Sequence, residues 1–395
     1  MKKLFAAFTI LLLVVGSCRK DSNLPLATNT ITQDAKVTEA KEKLVTFIKA
    51  HNYQPRFNPK AARTQNQKSY SKNYIDANLH PSGNADFNHY QETIDKVINP
   101  DDYDCGLTIV DEYVGESISD WTDDDFTLFY YFGGVSLDYA YIFANKDGGQ
   151  SYGSTGQFTN SLNRTYKSLL RFWDIPTDIL MRDAHGTIYN DTTKVVSVLL
   201  LYGYPQEDAS YIADLLKTAL GSAAFDYYNH PLLTFNAFAA PADDYWGTPK
   251  KIVMGDGIMQ AYADMGFSDI AAQGILAHEY GHQVQFANDV EFVFDPEGTR
   301  RTELMADAFA AYFLTHKQGA TANWKRVKEF LAVFYAIGDC AFDNPNHHGT
   351  PNQRLKAATF GYNLANDAKT KGKILKSADI IVLFDAALAD IVSPD

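Results

Sequence analysis

Between residues 270 and 287 apolar side chains recur with almost no polar face, and Ile270, Ile275, Leu276, Val284 and Phe286 form the body of the stretch. Ser268-Asp269 reads as a helix start with an acidic first turn, and Asn288-Asp289 reads as its stop. The pattern therefore predicts a largely buried helix. A second helix is predicted over 299–313, where Glu303, Ala306, Asp307 and Ala310 share one face and Met305, Phe309, Tyr312 and Phe313 form a bulky apolar side. Helical spacing also marks 34–51, 168–173, 206–220 and 378–392. The region 104–149 is rich in Tyr, Phe and Val between Asp and Gly turns and reads as strands. Residues 194–202, 234–241 and 251–259 read as strands too. The sum is an α+β chain, with an N-terminal α+β region (34–200) packed on a mainly helical unit (201–395).

The buried helix carries His278-Glu279-Tyr280-Gly281-His282. Helical positions i and i+4 lie one turn apart on one face, so both imidazoles can reach one metal ion. The glutamate beside the first histidine is placed to act as general base toward a water. The competing reading is a pair of core histidines satisfied by hydrogen bonds. A catalytic zinc wants a third protein ligand and an open position. The metzincin spacing would need glycine and histidine where this chain has Gln285 and Asn288. Glu303 is the preferred third ligand, because two acids set between alanines on an apolar helix are hard to leave in water. Asp289, Glu291, Asp295 and Glu297, in the polar stretch between the helices, compete with it.

HExxH followed by ExxxD resembles the gluzincin, or thermolysin-like, metallopeptidases. The resemblance implies a zincin-like domain over 201–395, built on an active-site helix and a glutamate helix. It implies Zn2+ held by His278, His282 and Glu303, with Glu279 as base and Asp307 orienting a histidine, expected to be His278. Residues 234–241 resemble the edge strand that pairs with extended substrate in compact gluzincins, although an ordinary hairpin strand fits the pattern equally well. Residues 347–354, His347-His348-Gly349-Thr350-Pro351-Asn352-Gln353-Arg354, resemble the HGTxxQR segment of a bacterial neutral zinc metallopeptidase family. That likeness makes His347 or His348 a candidate oxyanion stabiliser, against the alternative of exposed loop histidines. Gln353 and Arg354 are expected to anchor the loop, and Tyr312 and Tyr335 are other possible oxyanion donors.

Met1-Lys2-Lys3 followed by an apolar run to Val15 reads as a secretory signal over 1–17, and Val15-Gly16-Ser17-Cys18 matches the bacterial lipoprotein cleavage box. Acylation of Cys18 would anchor the mature chain through a polar tether over 18–33, and Arg19 and Lys20 favour the outer membrane. The formal charge of −13 argues against nucleic acid as a partner. Cys105 and Cys340 could pair in an oxidising compartment or remain free. The 24 Tyr, 25 Phe and 4 Trp suit a large core or the lining of a substrate cleft.

Taken whole, the chain resembles the zinc metallohydrolase lipoproteins associated with TonB-dependent nutrient import in Bacteroidetes. The lipobox, Gly255-Asp256-Gly257 and the HEYGH helix carry the likeness. It implies a lipid-anchored outer-membrane protein, on the cell surface or the periplasmic face, working beside a TonB-dependent transporter and its binding lipoprotein. The expected activity is zinc-dependent cleavage of peptide or protein substrates. The alternatives are a hydrolase of modified glycans or cell-wall peptides, and a surface binding or assembly lipoprotein with a structural or vestigial zinc site.

Overall fold

Helix starts are written into the chain as side-chain caps. Thr108 and Asp111 exchange reciprocal hydrogen bonds at the head of α2 (Ile109–Ser117), and Thr122 and Asp125 do the same at α3 (Asp123–Phe132). Asp191 caps α6 (Thr192–Leu201) by accepting from the Lys194 amide at 3.3 Å. These three elements, with α4 (Val135–Ile142), overturn the strands expected over 104–149 and 194–202. The aromatic and β-branched content of those stretches suits strands, but burial follows helical spacing: Leu128 and Phe132 on α3, and Val195, Val198 and Leu199 on α6.

The computed structural model describes residues 26–54, 108–146, 149–267, 269–322, 324–338 and 347–394. The signal segment, Cys18, Cys105, Cys340 and most of the polar stretch to residue 84 lie outside them. Helix α1 (Leu26–Ala50) starts inside the stretch expected to be a tether. Helices α5 (Thr159–Phe172) and α7 (Gln206–Leu220) follow the expected spacing, with strand β1 (Leu180–Ala184) between α5 and α6. Then come β2 (Ala237–Ala240), β3 (Lys251–Gly255), α8 (Asp256–Asp264), α9 (Ile270–Ala287), α10 (Pro296–Thr315), α11 (Trp324–Ala336), α12 (Pro351–Lys371) and α13 (Ser377–Ile391). The strand expected over 251–259 thus ends at Gly255, where α8 begins.

The result is α+β, mostly helical, with one three-stranded sheet in the order β1-β3-β2. Strand β1 pairs parallel to β3, with Leu180 opposite Lys251, and β2 pairs antiparallel, with Ala237 opposite Met254. Strands β1 and β3 come from either side of residue 200 and join directly. Alternation sends Met181, Ala237, Ala239, Ile252 and Met254 into the large core shared by α9 and α10, while Phe238, Ala240 and Val253 meet Tyr141 and Ile142 of α4 on the other face. A second core joins α1, α3, α6 and α7.

Two contacts fix α9. The Gln283 side-chain amide donates to the carbonyls of Ala240 and Lys251, at 2.9 Å each, and ties the helix to the sheet. Gly281 faces Ala306 of α10, where an added Cβ would stand 3.1 Å from the Ala306 Cα. Small residues on both sides let the two backbones approach and bring the acid-bearing face of α10 onto the histidines.

Candidate metal centre

Helix α9 spans the residues its pattern predicts and presents His278 and His282 one turn apart. Helix α10 supplies Glu303 from across the Gly281–Ala306 contact. Nε2 of His278 lies 3.2 Å from Nε2 of His282 and 3.2 Å from a Glu303 carboxylate oxygen. The other Glu303 oxygen is 3.4 Å from Nε2 of His282. The three residues are 5%, 1% and 1% exposed, in the order His278, His282, Glu303.

The outer hydrogen bonds fix what these nitrogens offer. Nδ1 of His278 is 2.7 Å from Asp307 Oδ1, and a carboxylate accepts, so that nitrogen carries a proton. Nδ1 of His282 is 2.8 Å from Gln285 Oε1. The Gln285 amide nitrogen donates to the Thr302 carbonyl at 2.7 Å, which leaves its oxygen as the acceptor facing His282. In the neutral rings both Nε2 lone pairs therefore point at each other and at a carboxylate. That arrangement repels itself unless a cation stands in the middle.

A metal fits the gap. Tetrahedral zinc with ligand bonds of about 2.0–2.1 Å separates its donor atoms by about 3.3 Å; the two Nε2 atoms are 3.2 Å apart, and each lies 3.2 or 3.4 Å from a different oxygen of the Glu303 carboxylate. Two imidazoles and a carboxylate form a donor set that zinc favours. Among the described residues this is the one group of His, Cys, Asp or Glu whose donor atoms converge in this way. Glu279, 4% exposed, keeps Oε2 buried with no hydrogen-bond partner among the described residues. Such an orphaned acceptor costs about 1–3 kcal/mol.

The competing acids are engaged elsewhere or stand outside the cluster. Asp295 caps α10 by accepting from the Gly298 amide, Glu297 pairs with Arg300, and Asp289 and Glu291 do not join the converging group. Tyr312 falls on the opposite side of α10 from Glu303. Its hydroxyl accepts from the Leu375 amide and its ring packs by Phe172 and Trp173, which removes it as an oxyanion donor. Tyr335, at the end of α11, is 36% exposed.

The 347–354 segment reaches the site by a route the sequence did not disclose. Thr350 and Gln353 form a capping box at the head of α12, with Gln353 amide to Thr350 Oγ1 at 3.2 Å and Thr350 amide to Gln353 Oε1 at 3.1 Å. Gln353 also donates to the Val392 carbonyl, so it anchors the loop as expected. Arg354 does more. Its Nε donates to Asp307 Oδ2 at 2.7 Å and its Nη2 to Asp307 Oδ1 at 2.6 Å, a two-pronged clamp on the acid that orients His278. Gly349 has φ +100°, and an added Cβ there would stand 3.0 Å from the side chain of Leu304, the residue after Glu303. His347 is fully buried rather than exposed on a rim, and His348 is half-buried.

Burial opposes a charge on His278, but the Asp307 and Glu303 carboxylates outweigh it and hold its pKa up at about 9. In the metal-free protein a proton therefore does the cation's work. Its contribution to stability is fully present below the unfolded value of about 6.5 and is lost as pH rises through about 9. Metal must displace that proton, so apparent metal affinity should rise about tenfold per pH unit between pH 6 and 8. Chelator competition across that range checks this, and a flat profile would contradict it. Comparison with protein-family models, with curated proteins and with solved structures found no match for this chain.

Proposed function

We propose that the protein is a zinc-dependent hydrolase of the gluzincin type and that it cleaves peptide bonds. The observation that carries this reading is Glu279 Oε2, a buried acceptor without a partner on the turn that carries both histidines. A purely structural metal site has no use for it. Zinc, when bound, polarises a carbonyl and lowers the pKa of a water toward ~7. Glu279 takes the proton of the attacking water and returns it to the leaving amine. Asp307 and Gln285 hold the two imidazoles in the tautomer that turns Nε2 inward, and Arg354 holds Asp307. Of His347 and His348, the less enclosed His348 is the one assigned to meet a developing oxyanion. Strand β2 is hydrogen-bonded to β3 and tied to α9 through Gln283, and its four residues are buried. Acylated Cys18 would keep the activity at the outer membrane, beside a TonB-dependent transporter and its binding lipoprotein.

The near-complete burial of the ligands favours a second reading, a structural zinc in a binding or assembly lipoprotein. Incubation of the zinc-loaded protein with peptide and glycan libraries, with products identified by mass spectrometry, separates the readings. New peptide termini that disappear on chelation are expected. Glycan products would redirect the substrate class, and the absence of any product would favour the structural site.

A further inference from the structure

Helix α9 buries two glutamines, Gln283 and Gln285, at 1% and 0% exposure, and each spends both ends of its reach differently. Gln283 turns to the sheet through the Ala240 and Lys251 carbonyls. Gln285 turns to the candidate centre, accepting from His282 Nδ1 and donating to the carbonyl of Thr302, the residue before Glu303. One side chain thus touches a ligand on α9 and the backbone that carries a ligand on α10. The partner of His278 is a carboxylate already clamped by an arginine, whereas the partner of His282 is a neutral amide.

We infer that Gln285 is a positioning residue that sets the tautomer of His282 and couples its placement to that of Glu303, a role that rests on the metal-centre reading above. The amide cannot turn over without setting its NH2 group against the His282 Nδ1 proton and its oxygen against the Thr302 carbonyl. His282 is therefore locked in the tautomer with the proton on Nδ1, and Glu303 shares the same support. The position is the one where metzincin spacing would require glycine, which has no side chain for this task.

The test compares three variants by zinc affinity in chelator competition, by thermal unfolding, and by the His282 Nδ1–H proton resonance of the zinc-loaded full-length protein. Gln285→Met keeps the volume and removes both hydrogen bonds. It should weaken zinc binding about 10–100-fold and lose the protected Nδ1–H resonance. Gln283→Met removes equally buried hydrogen bonds on the sheet side and should lower the melting temperature while leaving zinc affinity within about threefold. Gln285→Glu keeps an acceptor for His282 and raises its basicity, so its zinc affinity should match or exceed that of the wild type, with stability lost at Thr302. It also decides the matter if Gln285→Met fails to fold. Equal zinc affinity in Gln285→Met and wild type, or a tenfold loss in Gln285→Glu, overturns the inference alone. A wild-type protein that binds no zinc overturns the metal-centre reading beneath it.

Discussion

Glu279→Gln is expected to lower peptide turnover by about 10²–10⁴-fold while zinc affinity stays close to that of the wild type. Glutamine preserves the volume and one oxygen but cannot accept and return a proton. Glu279 makes none of the close contacts that bring His278, His282 and Glu303 together, so its loss leaves the donor set intact. His278→Ala should behave oppositely and lose both the metal and turnover, because it removes one of three donors and strands Asp307 without its imidazole. Turnover measured on a cleaved library peptide, alongside metal content after gel filtration, checks the pair. Equal turnover in Glu279→Gln and wild type would remove the base assignment.

The second large effect is expected at Asp307. Arg354 is 2% exposed and places two nitrogens on this one carboxylate, so Asp307→Ala leaves a guanidinium buried without its counter-charge. Breaking a buried pair from one side costs about 3–5 kcal/mol, a large share of the ~5–15 kcal/mol by which domains are stable. The same change frees the His278 ring and should weaken zinc binding about 10–100-fold. The two consequences separate in a double variant. Asp307→Ala combined with Arg354→Met should recover much of the stability, because no charge is left unpaired, yet none of the metal affinity. Urea unfolding and chelator competition on the wild type, Asp307→Ala, Arg354→Met and the double variant give both numbers. Recovery of metal affinity in the double variant would show that Asp307 acts through folding alone.

The site was more legible in the sequence than the fold around it. His278, Glu279, His282, Glu303 and Asp307 sit at helical spacings whose chemistry is local, and the limits of α9 follow from its apolar body and its Asn288 stop. Glu303, and not one of the linker acids, stands beside the two histidines, because small residues beside it permit the close approach of Ala306 to Gly281. The strands expected over 104–149 and 194–202 failed for a different reason. Tyr, Phe and Val content favours strands, but the caps formed by Thr108 with Asp111, Thr122 with Asp125, and Asp191 start helices there. Arg354 and Gln285 could not be assigned from pattern. The clamp of Arg354 on Asp307 depends on how α12 packs along α10, and the role of Gln285 depends on a carbonyl across the helix pair.

One divalent ion is expected between the Nε2 atoms of His278 and His282 and the Glu303 carboxylate. Anomalous diffraction at the zinc edge from zinc-equilibrated crystals tests it most directly. The account predicts a single strong peak within about 2.0–2.2 Å of all three side chains. A zinc-saturated crystal with no peak there, or with the ion held by other residues while Glu303 points away, would contradict it.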